Sequence, residues 1–277
     1  MRNKRSGPRQ PLSRTRPKTS AKTKLIPTSK HKPTRSATAQ LRPRREERGT
    51  KAKPAPRRTG SLPSIRYPSP AERAPEIFSR LHAAYPDAHC ALDFRTPFQL
   101  LIATILSAQC TDKRVNMVTP ALFARYPNPE SLAAAKPEEL EEMIKSTGFF
   151  RNKAKSLIGM ATAVAERHGG AVPGTMEELV RLPGVGRKTA NVVLGNAFGR
   201  DEGVVVDTHV TRVTQRLALT AHTDPIKIEQ DLMTLFPREQ WTILAHLFIE
   251  HGRRICEARR PKCEQCVVNS LCPSSRV

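Results

Sequence analysis

The stretch LPGVGRKTANVV, residues 182–193, sets two glycines two positions apart and follows them with Arg187 and Lys188 at the head of an apolar run. Gly184 and Gly186 let the backbone turn tightly between two helices, with Leu182 and Val185 turned inward. Such a turn leaves N–H groups bare. With the positive end of the following helix they form an anion site suited to a phosphate. Gly184, Val185, Gly186 and Arg187 are therefore candidate contacts to a DNA backbone, the plainer reading being a helix–turn–helix corner with no ligand. Lys188 has two roles open to it. It is a further phosphate contact, or it is a nucleophile. The helix's positive end and Arg187 disfavour a second cation there, and partial burial would add to this. A neutral amine can attack a sugar carbon and form a Schiff base.

The second element is VVVDTHVTR, residues 204–212. Asp207 ends an apolar triplet and precedes a helix, so it can serve as an ordinary N-cap, accepting from backbone N–H groups two or three residues on. It can equally be a carboxylate held near Lys188, where it would help displace a base and steady a positively charged sugar. One residue can do both.

The third element is Cys256, Cys263, Cys266 and Cys272, four thiols within 17 residues in a C-x6-C-x2-C-x5-C array. This is a metal signal; disulfides are the poorer reading in a chain with no secretion signal. Spacing alone allows zinc or a [4Fe–4S] cluster. Between the first two cysteines Arg259, Arg260 and Lys262 would form a basic knob for a phosphate backbone, or simply a solvated charged loop. Cys90 and Cys110 lie among apolar residues and read as inert core thiols.

The elements that must position these residues are helical. Phe98, Leu101, Ile102, Ile105 and Leu106 mark one buried helix face. Pro137 with Glu138 and Glu139 opens another helix, and Gly148 stops it. Ala154, Leu157, Ile158, Ala161 and Val164 define a longer one ending at Gly169-Gly170. Thr175 with Glu178 fits a capping box. Asp224-Pro225 opens a helix holding Ile228, Leu232 and Leu235, and Trp241, Leu244, Ala245 and Phe248 line the next. Nothing alternates over strand length, so the core reads as all-α, roughly ten short helices.

The net charge of +22 is concentrated at one end. Residues 1–70 hold 21 Lys+Arg against 2 Asp+Glu, and 11 of the 24 prolines. With few large apolar residues, this tail reads as disordered. Its charge favours non-specific attraction to a polyanion through counterion release. The remainder carries 26 Lys+Arg and 23 Asp+Glu. No stretch is apolar and long enough to span a membrane. The reading is therefore a cytoplasmic, nucleoid-associated protein with no membrane partner, a nuclear or organellar address in the tail being the alternative.

Taken together, residues 72–273 resemble the endonuclease III family of helix-hairpin-helix DNA glycosylases with AP lyase activity. LPGVGRKTANVV resembles that family's hairpin and catalytic lysine, VDTH at 206–209 its catalytic aspartate, and the cysteine array its [4Fe–4S] ligands. LSAQCTD at 106–112 and STGFFRNKA at 146–154 resemble two DNA-contacting loops. The resemblance implies a six-helix barrel domain over 91–201 and an iron–sulfur cluster domain built from 71–90 and 202–277. It implies Lys188 as Schiff-base former and Asp207 as its carboxylate partner. Gln109 would fill the gap left by an extruded base, Phe149 would wedge beside the orphaned base, and His209 would lie near the phosphates. It further implies a monomer acting on double-stranded DNA with a damaged pyrimidine or an abasic site, and a cluster that is structural and DNA-positioning. Val180 departs from the pattern, standing where some members carry a glutamate. The rival readings are a monofunctional adenine mismatch glycosylase, against which Lys188 counts, and a non-catalytic DNA-binding protein.

Overall fold

The structure, a computed structural model, describes residues 67–277; the basic tail up to residue 66 lies outside the described residues. Eleven α-helices follow one another there, with no strand among the described residues. They are α1 (Pro70–Ala84), α2 (Pro97–Ser107), α3 (Asp112–Arg125), α4 (Pro129–Ala133), α5 (Pro137–Ile144), α6 (Phe150–Arg167), α7 (Met176–Leu179), α8 (Arg187–Phe198), α9 (Thr208–Arg216), α10 (Pro225–Leu235) and α11 (Trp241–Arg254). Val204-Val205-Val206 forms no strand and lies in the segment joining α8 to α9.

The helix starts follow from local chemistry. Proline occupies the first turn of α1, α2, α4, α5 and α10, where its missing N–H costs nothing. Ser69, Thr96, Thr111, Asn128 and Asp224 each accept a first-turn N–H through a side-chain oxygen. The capping box expected at Thr175 is half made. Thr175 accepts the N–H of Glu178, but the Glu178 carboxylate takes the Thr175 hydroxyl rather than its backbone N–H.

Two apolar cores result. One draws on α2 to α8, from Leu92 to Leu194; the other on α1 and then α9 to α11, from Ala74–Tyr85 and Val204–Val268. Helix α2 is the centre of the first. Where periodicity indicates one buried face, Leu100, Ala103 and Thr104 are buried as well. The reason is that α3, α6 and α8 surround it, so no face is left for water. Thr104 survives there by donating its hydroxyl to Leu100 O at 2.7 Å. Helix α1 meets the C-terminal segment in the second core. Arg73 of α1, almost wholly buried, donates to Leu217 O and Leu271 O at 2.7 Å each. The cores are tied across the cleft between them by Arg253 of α11 and Asp112 of α3, 2.6 Å apart.

Candidate active site

The hairpin between α7 and α8 is held from behind. Leu182 and Val185 are buried, and Val185 N–H closes the turn on Leu182 O at 3.1 Å. Gly184 has φ +77, and a Cβ there would lie 2.6 Å from Ser156 Cβ of α6. Both the backbone conformation and the close approach require glycine. Gly186 differs: a Cβ there would meet no protein atom within 4 Å. It caps α8 with no side-chain acceptor, so the N–H groups of the first turn face open space.

Arg187 and Lys188 diverge. The Arg187 guanidinium pairs with Glu229 of α10, Nε to Oε2 at 3.0 Å and a terminal nitrogen to Oε1 at 3.0 Å. Asn191 Nδ2 donates to the same carboxylate at 2.8 Å. The charge of Arg187 is thus spent inside the protein, and its free backbone N–H is what it offers to an anion. Lys188, on the second residue of α8, is exposed rather than partly buried. Of the two neighbours expected to keep it neutral, Arg187 is compensated by Glu229.

Asp207 caps α9. Its Oδ1 accepts from both His209 N–H and Val210 N–H at 2.8 Å. Neither bond uses Oδ2. Lys188 and Asp207 line one groove of about 1160 Å³ with Gln109, Cys110, His209 and His246. That is more room than the ~300–1000 Å³ of a closed small-molecule pocket, and its open form suits a polymer. His209 is oriented by Arg212, 3.1 Å from Nδ1, which also donates to Gly252 O and Cys256 O. His246 donates from Nε2 to Asn196 Oδ1 at 2.8 Å; burial is the main cause that pushes its pKa down to about 4. Val180 is exposed at the end of α7 and lines no part of this groove.

Two loops, one of them lining the groove through Gln109, carry unusual conformations. Among the described residues three non-glycine residues have positive φ, and two are Gln109 (φ 54) and Phe149 (φ 49). Gln109 is exposed, and Phe149 leaves 64% of its surface to solvent as the N-cap residue of α6. An aromatic ring so exposed on a strained backbone is not placed there by packing.

The four cysteines Cys256, Cys263, Cys266 and Cys272 form no disulfide and line one largely apolar cavity. Arg216 donates to Cys256 Sγ at 3.2 Å, and His251 Nε2 lies 3.4 Å from Cys266 Sγ, with Tyr85 OH on its other nitrogen at 3.0 Å. Burial pushes the Cys266 thiol up to about 11, so charge on it needs a metal or donors. No three His, Cys, Asp or Glu groups among the described residues converge on a single-ion position. Four cysteine thiols brought to one cavity are a donor set that fits an iron–sulfur cluster. Arg259 and Arg260 are exposed on the loop between the first two cysteines. Lys262 instead closes that loop, donating to Arg254 O at 3.0 Å and pairing with Glu257 at 2.8 Å.

Several contributors escaped the sequence reading. Glu229 and Arg216 act on partners 42 and 40 residues away and His251 joins Cys266 to Tyr85, 166 positions off, so no local pattern marks them.

Residues 102–238 match the HhH-GPD superfamily of base excision DNA repair proteins, the class that the fold, hairpin and groove define. Residues 256–272 match the iron–sulfur binding domain of endonuclease III. The chain is 57% identical to endonuclease III of Synechocystis sp. over 205 residues, 74% of this chain and 94% of the relative. It is 47% identical to the Bacillus subtilis enzyme over 189 residues, 68% and 86% of the two chains. A solved structure of a trapped endonuclease III–DNA covalent intermediate superposes with a TM-score of 0.71 at 42% identity, covering 74% of this chain and 97% of that one. The chain belongs to the endonuclease III family. It is a bifunctional DNA glycosylase/AP lyase of base excision repair that carries a [4Fe–4S] cluster.

Proposed function

We propose that this enzyme removes oxidised or ring-saturated pyrimidines from duplex DNA, with Lys188 as nucleophile and Asp207 as its electrostatic partner. The observation that carries the reading is the presentation of both groups into one groove, Lys188 from the first turn of α8 and Asp207 from the N-cap of α9. A damaged pyrimidine that stacks poorly is cheap to extrude. Lys188 Nζ attacks C1′, the glycosidic bond breaks, and the base leaves with the bonding electrons and takes up a proton. Oδ2 of Asp207, unused by the cap, faces the positive charge that develops on the sugar. The C1′–O4′ bond then opens, O4′ takes up the proton that Nζ gives up, and the resulting imine makes the C2′ proton acidic. Its loss expels the 3′ phosphate oxygen and cuts the strand by β-elimination.

Around this centre, the N–H groups of Gly186, Arg187 and Lys188 would grip a phosphate, with Val185 and Gly184 shaping the turn. His209 adds a polar contact, and Arg259 and Arg260 a basic one. Cys256, Cys263, Cys266 and Cys272 would hold the cluster, whose iron–thiolate bonds pin that loop when bound. We divide the folded chain into a barrel domain, 91–201, and a cluster domain, 71–90 with 202–277. We take the enzyme to act as a monomer on its duplex. The bacterial relatives suit a cytoplasmic enzyme working at the nucleoid.

The test is a borohydride trap with a duplex carrying one oxidised pyrimidine. A covalent protein–DNA band that disappears in Lys188→Ala, with binding retained, is the expected result. Base release without any trapped band would point to monofunctional excision. Binding with neither would leave only a DNA-gripping role and overturn the proposal.

A further inference from the structure

Lys153, on the first turn of α6, is buried to 5% exposure and has no part in the chemistry above. Lysine is almost never so deeply buried without partners. Here the partners are two carbonyls from separate loops. Nζ donates to Leu106 O at 2.8 Å and to Thr147 O at 2.8 Å. Leu106 O belongs to the last turn of α2, whose carbonyls lack helical partners. Neither oxygen accepts a backbone N–H in the turns that follow. Each is a few residues before a residue with positive φ, Gln109 in one loop and Phe149 in the other. Lys153 is also joined to the second loop through its own backbone, its N–H donating to Phe149 O at 3.0 Å.

We propose that Lys153 is a positioning residue: its ammonium ties the Gln109 loop to the Phe149 loop and so sets the spacing at which the two side chains enter DNA. This rests on the reading of Gln109 and Phe149 as the residues that fill and wedge the helix beside an extruded base. A methionine or leucine would fill the same volume without burying a charge, so the buried ammonium is explained by what it holds. Burial lowers the Lys153 pKa, the cost accepted for that tie. Two strained loops on one cationic anchor move together or not at all, which is what simultaneous insertion into a base stack requires.

The experiment compares two substrates on the cluster-loaded enzyme. One is single-turnover excision of an oxidised pyrimidine from duplex DNA; the other is cleavage of a single-stranded oligonucleotide carrying an abasic site, which has no gap to fill. Lys153→Met is expected to slow duplex excision roughly 10–100-fold, with abasic cleavage kept within about threefold. In a Gln109→Ala, Phe149→Ala background the same change should add little, because the tie acts through those side chains. Equal losses on both substrates, no loss on the duplex, or fully additive losses would overturn the proposal. If instead Gln109→Ala and Phe149→Ala leave duplex excision intact, it is the reading of the loops that has failed. Melting and cluster absorbance are followed for each variant. Should Lys153→Met not fold, Lys153→Leu, which likewise removes both donors, replaces it under the same criteria.

Discussion

Arg187 and Glu229 form an ion pair that fastens the DNA-facing hairpin to α10: Nε sits 3.0 Å from Oε2, and Glu229 is buried while Arg187 is partly open to solvent. Asn191 shares the same carboxylate. Glu229→Ala should therefore leave a guanidinium and an amide unpaired beneath the hairpin. After discounting for the exposed side of Arg187, the loss is roughly 2–3 kcal/mol. Thermal unfolding should show a drop of roughly 5–10 °C. Glu229→Gln, which keeps one acceptor, should lose less, and equal melting of all three proteins would contradict the role of the pair.

Asp207 can be separated from its cap. Asparagine caps a helix about as well as aspartate, so Asp207→Asn should change stability by less than ~0.5 kcal/mol. Base excision should nevertheless fall at least about 100-fold, since the charge facing the sugar is gone. Asp207→Ala should lose both activity and ~1 kcal/mol. Paired measurements of excision rate and denaturant midpoint check this. An Asn variant with normal excision would reduce Asp207 to a cap.

The two hairpin glycines should fail differently. Gly184→Ala meets Ser156 and must hold φ +77, so it should destabilise by about 1–2 kcal/mol from backbone strain alone, and more from the clash. Adding Ser156→Gly should recover the part due to the clash. Gly186→Ala has room and should unfold within about 1 kcal/mol of the native protein. Its methyl, however, would stand where a phosphate must approach, so DNA affinity should fall. Denaturation and DNA titration together would reveal the contrast; identical behaviour of the two variants would argue against it.

Acid should weaken the fold through His246. Its folded pKa of about 4 lies below the ordinary 6.5, mainly through burial, with the charge on His89 adding to the effect, Glu250 opposing it and Arg253 reinforcing it. The unfolded chain therefore binds the proton first. Stability is fully present above about pH 6.5 and is lost as pH falls toward 4, on the order of 2 kcal/mol once partial exposure is allowed for. His246→Gln should flatten this part of a urea-derived stability curve. A slope unchanged in the variant would assign the acid sensitivity elsewhere.

Much of the architecture is legible in the chain itself. Apolar spacing, prolines at first turns and capping side chains are local, so α5, α6, α10 and α11 can be located from residue order alone. The hairpin, the Asp207 element and the cysteine array are likewise contiguous stretches whose chemistry is visible without a fold. The burial of α2 on every side was not legible, because it depends on which helices surround it. The box read at Thr175 is only half made, because Glu178 takes the hydroxyl instead of the backbone N–H.

What the residues alone determined, then, was an all-α member of a DNA repair family with its reactive groups in short motifs. Tertiary structure decided the electrostatics. Arg187 is neutralised by a glutamate 42 positions away, Lys188 stands exposed, and a buried Lys153 joins two loops through backbone oxygens. Backbone carbonyls carry no residue identity, and a charge pair across the core leaves no periodic trace. Such contacts exist only once distant segments have been brought together.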